Sequence, residues 1–186
     1  RLEAFMRDLY THMRAIHLIT RMVERRLALR PKSARRLPSL RSFFGGGKKT
    51  ETLDGFNIID GELVPISQRI FRDQPRRLMR VFLHAQQRGL EFHPDLTQLL
   101  RDNVSLVNDD FIHDSENHET FLEILNRRGD VAPALRAMHE VDLLGRYIPE
   151  FGRMTCLVQH EFFHAYAADE HTLVCLEKLD QVWDAA

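Results

Sequence analysis

The stretch PRRLMRVFLHAQQRG, from Pro75 to Gly89, decides the fold class. Its apolar residues recur at the three- and four-residue steps of an α-helix and form one face: Leu78, Val81, Phe82 and Ala85. Pro75 suits a first helical turn, and Gly89 is the residue type that ends helices. The stretch therefore predicts a helix with one side in the core.

Helical spacing also dominates the chain after Gly89. A helix restarts at Pro94 and continues through Val107, and another runs from Ser115 to Gly129. Residues 130–148 predict a fourth helix with a bend, and a last one spans Asp169 to Val182. We expect a mainly α protein, a helical bundle.

One short β-hairpin is predicted near residues 56–66, where the sequence reads FNIIDGELVPI. Asp60-Gly61 between two apolar runs is the pattern of a two-residue hairpin turn. Pro65 cannot donate to a ladder, so its strand is expected at an edge. No other β-structure is expected.

The first 30 residues predict one long helix. Its apolar residues keep helical spacing without an interrupting Gly or Pro: Leu2, Phe5, Met6, Leu9, Met13, Ile16, Ile19, Thr20, Val23 and Leu27. Arg7, Arg14, Arg21 and Arg25 line the polar side. Pro31 ends the helix, because the residue before a proline disfavours the α region.

Residues 31–55 are interpreted as a basic flexible linker, with two prolines and three consecutive glycines at 45–47. The run GGGKKT does not meet the phosphate-loop pattern G-x-x-x-x-G-K-[ST]. Ser42 stands where the first glycine is required, and Lys49 separates Lys48 from Thr50.

Charge is distributed unevenly along the chain. The first 50 residues hold 13 Lys and Arg against 3 Asp and Glu, and the remainder holds 13 against 24. A basic arm of this kind binds nucleic acid or docks on an acidic neighbour. We expect docking on the acidic remainder and no nucleic-acid partner, because no aromatic residues interleave with the basic ones for base stacking.

The composition is that of a globular protein, with 44% apolar and 28% charged residues. No apolar run reaches the length of a membrane span, and no signal-peptide pattern opens the sequence. The two cysteines, Cys156 and Cys175, lie outside any C-x-x-C pattern and predict reduced thiols. We expect a cytoplasmic protein without a membrane partner.

The run HEFFHAYAADEHTL, from His160 to Leu173, contains the pattern H-E-x-x-H. On a helix, His160 and His164 would lie one turn apart and could share a zinc ion, with Glu161 as general base. This is the zinc-hydrolase hypothesis. A catalytic zinc requires a third protein ligand that the motif does not supply, and the flanking aromatic residues are equally typical of a core helix.

The same run resembles the segment that opens the HD phosphohydrolase domain of the bifunctional PII uridylyltransferase/uridylyl-removing enzymes, of the type F-H-x-Y-x-x-D-E-H-T. Three further stretches resemble this family in its order: FMRDLYTHMRAI (Phe5 to Ile16), IFRDQPRRLMRVF (Ile70 to Phe82) and LGRYIPEF (Leu144 to Phe151). The first places His12 and Arg14 on family positions, in a segment that leaves the nucleotidyltransferase domain.

The resemblance implies a domain plan. Residues 1–30 are a connecting helix, 31–55 the linker, 56–160 the family's helical domain, and 161–186 the first helix of a truncated HD domain. His171 takes the position of the first metal-binding histidine of the HD site, and His160 and His164 are then not ligands. The implied cofactor of the intact enzyme is a divalent ion, Mg²⁺ or Mn²⁺. The implied partners are a PII-type protein substrate in nitrogen signalling and the flanking nucleotidyltransferase and HD domains.

The remaining HD ligands and the transferase motif have no counterpart in these 186 residues. His113-Asp114 precedes His171, which is the wrong order for the HD pair, and is interpreted as a solvated helix entry. One imidazole is a weak metal site, since affinity comes from several ligands. We therefore expect this chain alone to be inactive and to bind no cofactor. A non-catalytic helical interaction module with a basic arm remains the third hypothesis.

Overall fold

The computed structural model describes residues 2–28, 51–158 and 167–184. Over these ranges the chain is mainly α-helical with one small sheet, as the sequence predicts. Among the described helices, none has the length and apolar character that crossing a bilayer would require.

The described residues form ten α-helices and four β-strands, with a short 3₁₀ turn over Val104–Leu106 after the fourth helix. The helices are α1 Leu2–Ala28, α2 Ile70–Asp73, α3 Arg77–Arg88, α4 Pro94–Asn103, α5 Asp109–Ile112, α6 Ser115–Leu125, α7 Val131–Glu140, α8 Leu143–Tyr147, α9 Pro149–Met154 and α10 Ala168–Asp184. The strands are β1 Glu51–Leu53, β2 Phe56–Ile59, β3 Glu62–Pro65 and β4 Glu91–Phe92.

The predicted hairpin exists as β2 and β3, paired antiparallel with Ile59 opposite Glu62. The expectation of no other β-structure was wrong, because β1 pairs with β2 and β4 pairs in parallel with β3. Strand β1 lies at the end of the stretch interpreted as linker. Its turn, Asp54-Gly55, has the same composition as Asp60-Gly61, and all four residues have the positive φ that such hairpin turns require.

The prediction that the strand containing Pro65 lies at an edge of the sheet was also wrong. Strand β3 is internal, between β2 and β4. Strand β4 pairs only with Glu62 and Leu63, however, so it stops short of Pro65. The missing N–H of Pro65 therefore interrupts no pairing with β4.

Helix α3 is the centre of the core. Leu78, Met79, Val81 and Phe82 are at most 1% exposed, and the helix packs against α2, α6 and α7. Gly89 ends it in the left-handed conformation, with φ of 61°. The stretch that predicted the fold class thus forms a helix with one side in the core, as expected.

Residues 130–148 form two helices, and the predicted single bent helix was wrong. Helix α7 ends at Glu140 and α8 begins at Leu143. Between them Asp142 adopts φ of 64°, which no continuing right-handed helix allows.

Helix α1 docks on the rest of the protein through its arginines. Arg14 pairs with Asp142 (2.9 Å), Arg25 with Glu91 (2.7 Å) and Arg26 with Asp95 (3.1 Å), and Arg21 pairs with Glu140. Docking of the basic arm on the acidic remainder is therefore confirmed for α1. Arg1 and residues 29–50, which hold the other basic residues of the arm, lie outside the described ranges.

Asp54 ties the sheet to α3. Its carboxylate accepts from Arg77 (3.1 Å) and Arg80 (2.8 Å) and lies 3.2 Å from Nε2 of His84. Burial by itself would raise the pKa of Asp54, but the bonds from Arg80 and Arg77 outweigh it and hold the pKa below its usual 3.8.

Replacing Asp54 with Asn tests this tie, because Asn keeps the shape of the side chain and tolerates positive φ. We expect the free energy of unfolding at pH 7 to fall by about 2 kcal/mol, the scale of hydrogen bonds to a charged group. Since folding lowers the pKa of Asp54, its contribution is present above pH 3.8. The difference between wild type and variant should therefore shrink as the pH falls through the folded pKa.

Chemical denaturation at pH 7 and at acid pH measures both effects. The matched control is Asp73→Asn, whose carboxylate is 54% exposed and forms only an i,i+4 pair. It should change stability by no more than about 0.5 kcal/mol. Equal effects of the two variants, or a loss independent of pH, would contradict the account.

Candidate functional site

Helix α10, which carries His171, lies antiparallel to α7 and is held by polar contacts along its length. At one end Asp180 accepts a 2.7 Å hydrogen bond from the backbone N–H of Ala132. Near the middle, Arg136 pairs with both Glu177 (2.6 Å) and Glu170 (2.9 Å). These contacts fix the rotation and register of α10 against α7.

The third contact between these helices is buried. Asp169 and His139 are 1% and 3% exposed, and Nε2 of His139 lies 3.2 Å from Oδ2 of Asp169. The ring nitrogen meets no partner with the alignment of a hydrogen bond, so the two side chains face each other in close polar contact. Oδ2 also accepts from the backbone N–H of Cys156 at 3.2 Å, which joins the end of α9 to the start of α10.

Asp169 is held in its ionised form. Burial by itself would raise the pKa of Asp169. The imidazole of His139 and the N–H of Cys156 lower this pKa by more than burial raises it, so the net pKa is below the usual value. The thiol of Cys156 lies in the same buried region, and burial raises its pKa. Asp169 is therefore a structural carboxylate, directed into the protein.

His171 lies two residues beyond Asp169, in the first turns of α10, with its side chain exposed. Its Nδ1 is 3.4 Å from Sγ of Cys175, one turn further along the helix. The neighbours of His171 on its N-terminal side, Asp169 and Glu170, are both engaged by α7. The helix thus turns Asp169 inward and His171 outward.

The described ranges contain no group of three or more His, Cys, Asp or Glu side chains that could hold a metal ion. His171 is accordingly a single imidazole, and the carboxylate of Glu170 beside it is paired with Arg136. His160, Glu161 and His164 lie outside the described residues, so the zinc-hydrolase hypothesis stays a prediction.

The dipeptide His113-Asp114 forms a helix entry, as predicted. Asp114 is the N-cap of α6 and accepts from the N–H of Asn117 at 3.0 Å. It also pairs with Arg76 at 2.6 Å, and this arginine holds the pKa of Asp114 below its usual value. Its carboxylate is therefore committed to structure.

Arg14, one of the family positions in the first helix, contacts the joint between α7 and α8. It donates to the carbonyl of His139 at 2.6 Å and to Asp142 at 2.9 Å. Among the described residues His12, the other family position, makes a local contact with the carbonyl of Asp8. Arg14 thus reaches the residue whose ring faces Asp169, a connection that sequence periodicity did not reveal.

The segment Leu144 to Phe151 makes a close crossing of two short helices. Gly145 in α8 faces Gly152 in α9, and a Cβ at Gly152 would lie 2.4 Å from the carbonyl oxygen of Gly145. Only glycine permits this approach, which sends the chain past His139 towards Cys156. The predicted tight turn is therefore a pair of helical turns.

A cavity of about 520 Å³ lies between α1 and the helices α3, α4 and α7. Arg21, Arg25, Arg101 and Arg136 line it. Three of them pair with carboxylates, and Arg101 is 3.4 Å from the carbonyl of Glu140. Burial lowers the pKa of Arg101. The cavity is the gap left where a helix docks through long charged side chains.

Comparison with known proteins places the chain in a family. Residues 56–147, from β2 to α8, match the family model described as the third domain of uridylyltransferase GlnD. The chain belongs to the uridylyltransferase/uridylyl-removing enzyme family. The family resemblance seen in the sequence is thereby confirmed, whereas the assignment of residues 161–186 to an HD domain stays a prediction.

Two relatives extend the match beyond that domain. The bifunctional uridylyltransferase/uridylyl-removing enzyme of Cereibacter sphaeroides is 31% identical over 180 residues, 97% of this chain and 19% of the relative. The enzyme of the same name from Azospirillum brasilense is 37% identical over 135 residues, 72% of this chain and 14% of the relative. The chain thus spans less than a fifth of the length of these relatives.

Substituting Asp169 with Asn tests the buried contact between α7 and α10. We expect the free energy of unfolding to fall by about 3 kcal/mol, because the change removes the charge of a buried carboxylate that accepts from the N–H of Cys156 and faces His139. Amides of α10 should exchange with solvent faster, whereas those of α3 should keep their protection.

Denaturation and hydrogen exchange provide the two measurements. Asp102→Asn, which changes an exposed carboxylate that accepts from Gln98 one turn earlier, is the control and should stay within about 0.5 kcal/mol of wild type. If Asp169→Asn matched this control, Asp169 would not be what holds α10 in place.

Proposed function

We propose that this chain is the helical connecting segment of a PII-uridylyltransferase-like nitrogen-signalling enzyme. In this proposal it presents His171 as the first metal ligand of an HD phosphohydrolase site. The remaining ligands would come from chain outside these 186 residues. The observation that carries the proposal is the opposed orientation of Asp169 and His171 on a clamped helix.

The contacts of α10 support this role. A metal ligand must be held in a defined direction by its surroundings. Asp169 and Glu170 are bound by His139 and Arg136 of α7, so the backbone that bears His171 is fixed while its imidazole faces outward. An ordinary core histidine would instead be enclosed by apolar neighbours.

The ion in the intact enzyme would be Mg²⁺ or Mn²⁺, which activates water for hydrolysis of a phosphodiester. The described residues fit this group only in part, since a divalent ion requires several ligands and His171 is one. The part played by this chain is to fix that imidazole. We expect the 186 residues by themselves to neither transfer nor remove a uridylyl group.

The remaining parts of the proposal follow from the relatives. Two relatives named for uridylyl transfer and removal are at least five times as long as the segment they share with this chain. We therefore infer that a nucleotidyltransferase domain and the rest of an HD domain flank this segment, in a cytoplasmic enzyme. Its substrate would be a PII-type signalling protein.

The test is His171→Ala in the encoded polypeptide extended on both sides. The extended wild-type protein should release UMP from uridylylated PII protein when Mn²⁺ is present, and His171→Ala should lower this activity at least about a hundredfold. Because His171 is exposed, the variant should keep the stability of wild type within about 0.5 kcal/mol.

A matched control is His113→Ala, an exposed histidine at the end of α5 that should leave the release of UMP unchanged. Full activity of a folded His171→Ala variant would overturn the assignment of His171. Release of UMP by the 186 residues alone would overturn the division of the site between this chain and its flanks.

A further inference from the structure

Helix α1 exposes its apolar face. Eight large apolar side chains on this helix are 41–65% exposed and form what we call the outer stripe: Leu2, Phe5, Leu9, Met13, Ile16, Ile19, Val23 and Leu27. Elsewhere in the described ranges, exposed large apolar residues are scattered over several elements. A contiguous apolar surface of this length is the mark of an interface.

The orientation of α1 follows from its arginines. Arg7, Arg14, Arg21 and Arg25 lie on one side of the helix and contact the body of the protein. The outer stripe occupies the opposite side. Charged contacts therefore fix which face α1 presents, and no described residue covers the apolar one.

We propose that the outer stripe is the docking surface for a helical layer of the flanking chain, an inference that rests on the proposed function. Six residues of the stripe, Leu2, Leu9, Met13, Ile16, Val23 and Leu27, fall on a repeat of alternating four- and three-residue steps, whose two other positions are Met6 and Thr20. This is the spacing that packs against another helix. A helix of 27 residues extends over about 40 Å. The occupant is therefore an elongated helical surface with its own apolar side chains.

The size of the stripe agrees with a stable interface. At the observed exposures its side chains offer roughly 800 Å², which is one partner's share of an interface of standard size. More than four-fifths of each relative's length lies outside the segment shared with this chain. The flanking chain can therefore supply a partner of this extent.

The residues along the two edges of the stripe disfavour a second copy of α1 as the occupant. A two-stranded coil is specified by opposite charges along both edges of its seam. One edge here carries Phe5, His12, Ile19 and Arg26, and the other carries Glu3, Tyr10, His17 and Glu24. The charged residues thus lie only towards the two ends of the helix, and Arg26 already pairs with Asp95 of the body. Apolar residues at these edges widen the outer stripe, and a wide apolar face suits a layer of more than one helix.

Thiol labelling tests the proposal. Ile16→Cys places a reporter on the stripe and Leu122→Cys places one on α6, where the side chain is 56% exposed, both in a Cys175→Ser background that removes the native exposed thiol. Maleimide reaction rates are compared between the 186-residue chain and the polypeptide extended on both sides. We expect Ile16→Cys to react at least about tenfold more slowly in the extended protein, and Leu122→Cys to react equally in both.

Equal rates for Ile16→Cys in the two proteins would overturn the proposal. Protection of Ile16→Cys in the 186-residue chain that grows with protein concentration would overturn it in favour of self-association. Protection is measured without reference to activity. If Ile16→Cys is not protected, His171→Ala can still abolish the release of UMP. If His171→Ala has no effect on this release, Ile16→Cys can still be protected, so the two proposals fail independently.

Discussion

Burial of α3 is the constraint on which the other elements depend. Five of its apolar residues are buried, and α2, α6 and α7 pack against it. The polar residues at its borders then fix the neighbours in position. Arg77 and Arg80 bind Asp54 of the sheet, and Gln86 donates to the carbonyls of Ile124 and Asp130 at the connection between α6 and α7.

Helix α7 is positioned by α3, and it in turn contacts the helices nearest the two ends of the chain, α10 and α1. On one side its residues Arg136 and His139 hold the first turn of α10. On the other, the carbonyl of His139 receives Arg14 of α1. Helix α7 thus contacts both α10, which bears His171, and α1, which bears the outer stripe.

The sequence predicted the elements whose pattern is local. Helix α3, the start of α4 at Pro94 and the Asp60-Gly61 hairpin follow from spacing, proline, glycine and turn chemistry. The missed features depend on contacts distant in sequence. Strand β4 has two residues and exists because Glu62 and Leu63 offer a free edge, and the break at Asp142 coincides with an ion pair to Arg14. Periodicity also identified the apolar side of α1, but not that arginine contacts would turn it away from the core.

The candidate site was predictable only in part for the same reason. A motif assigned the position of His171, whereas the contact of His139 with Asp169 joins residues 30 positions apart and has no sequence signal.

The central claim is that His171 is one ligand of a metal site whose other ligands come from residues outside these 186. A crystal structure of the extended polypeptide grown with Mn²⁺ tests it most directly through the anomalous signal of the metal. The account predicts a peak bound by His171 together with residues from outside these 186, and a peak held jointly by His160 and His164 would contradict it.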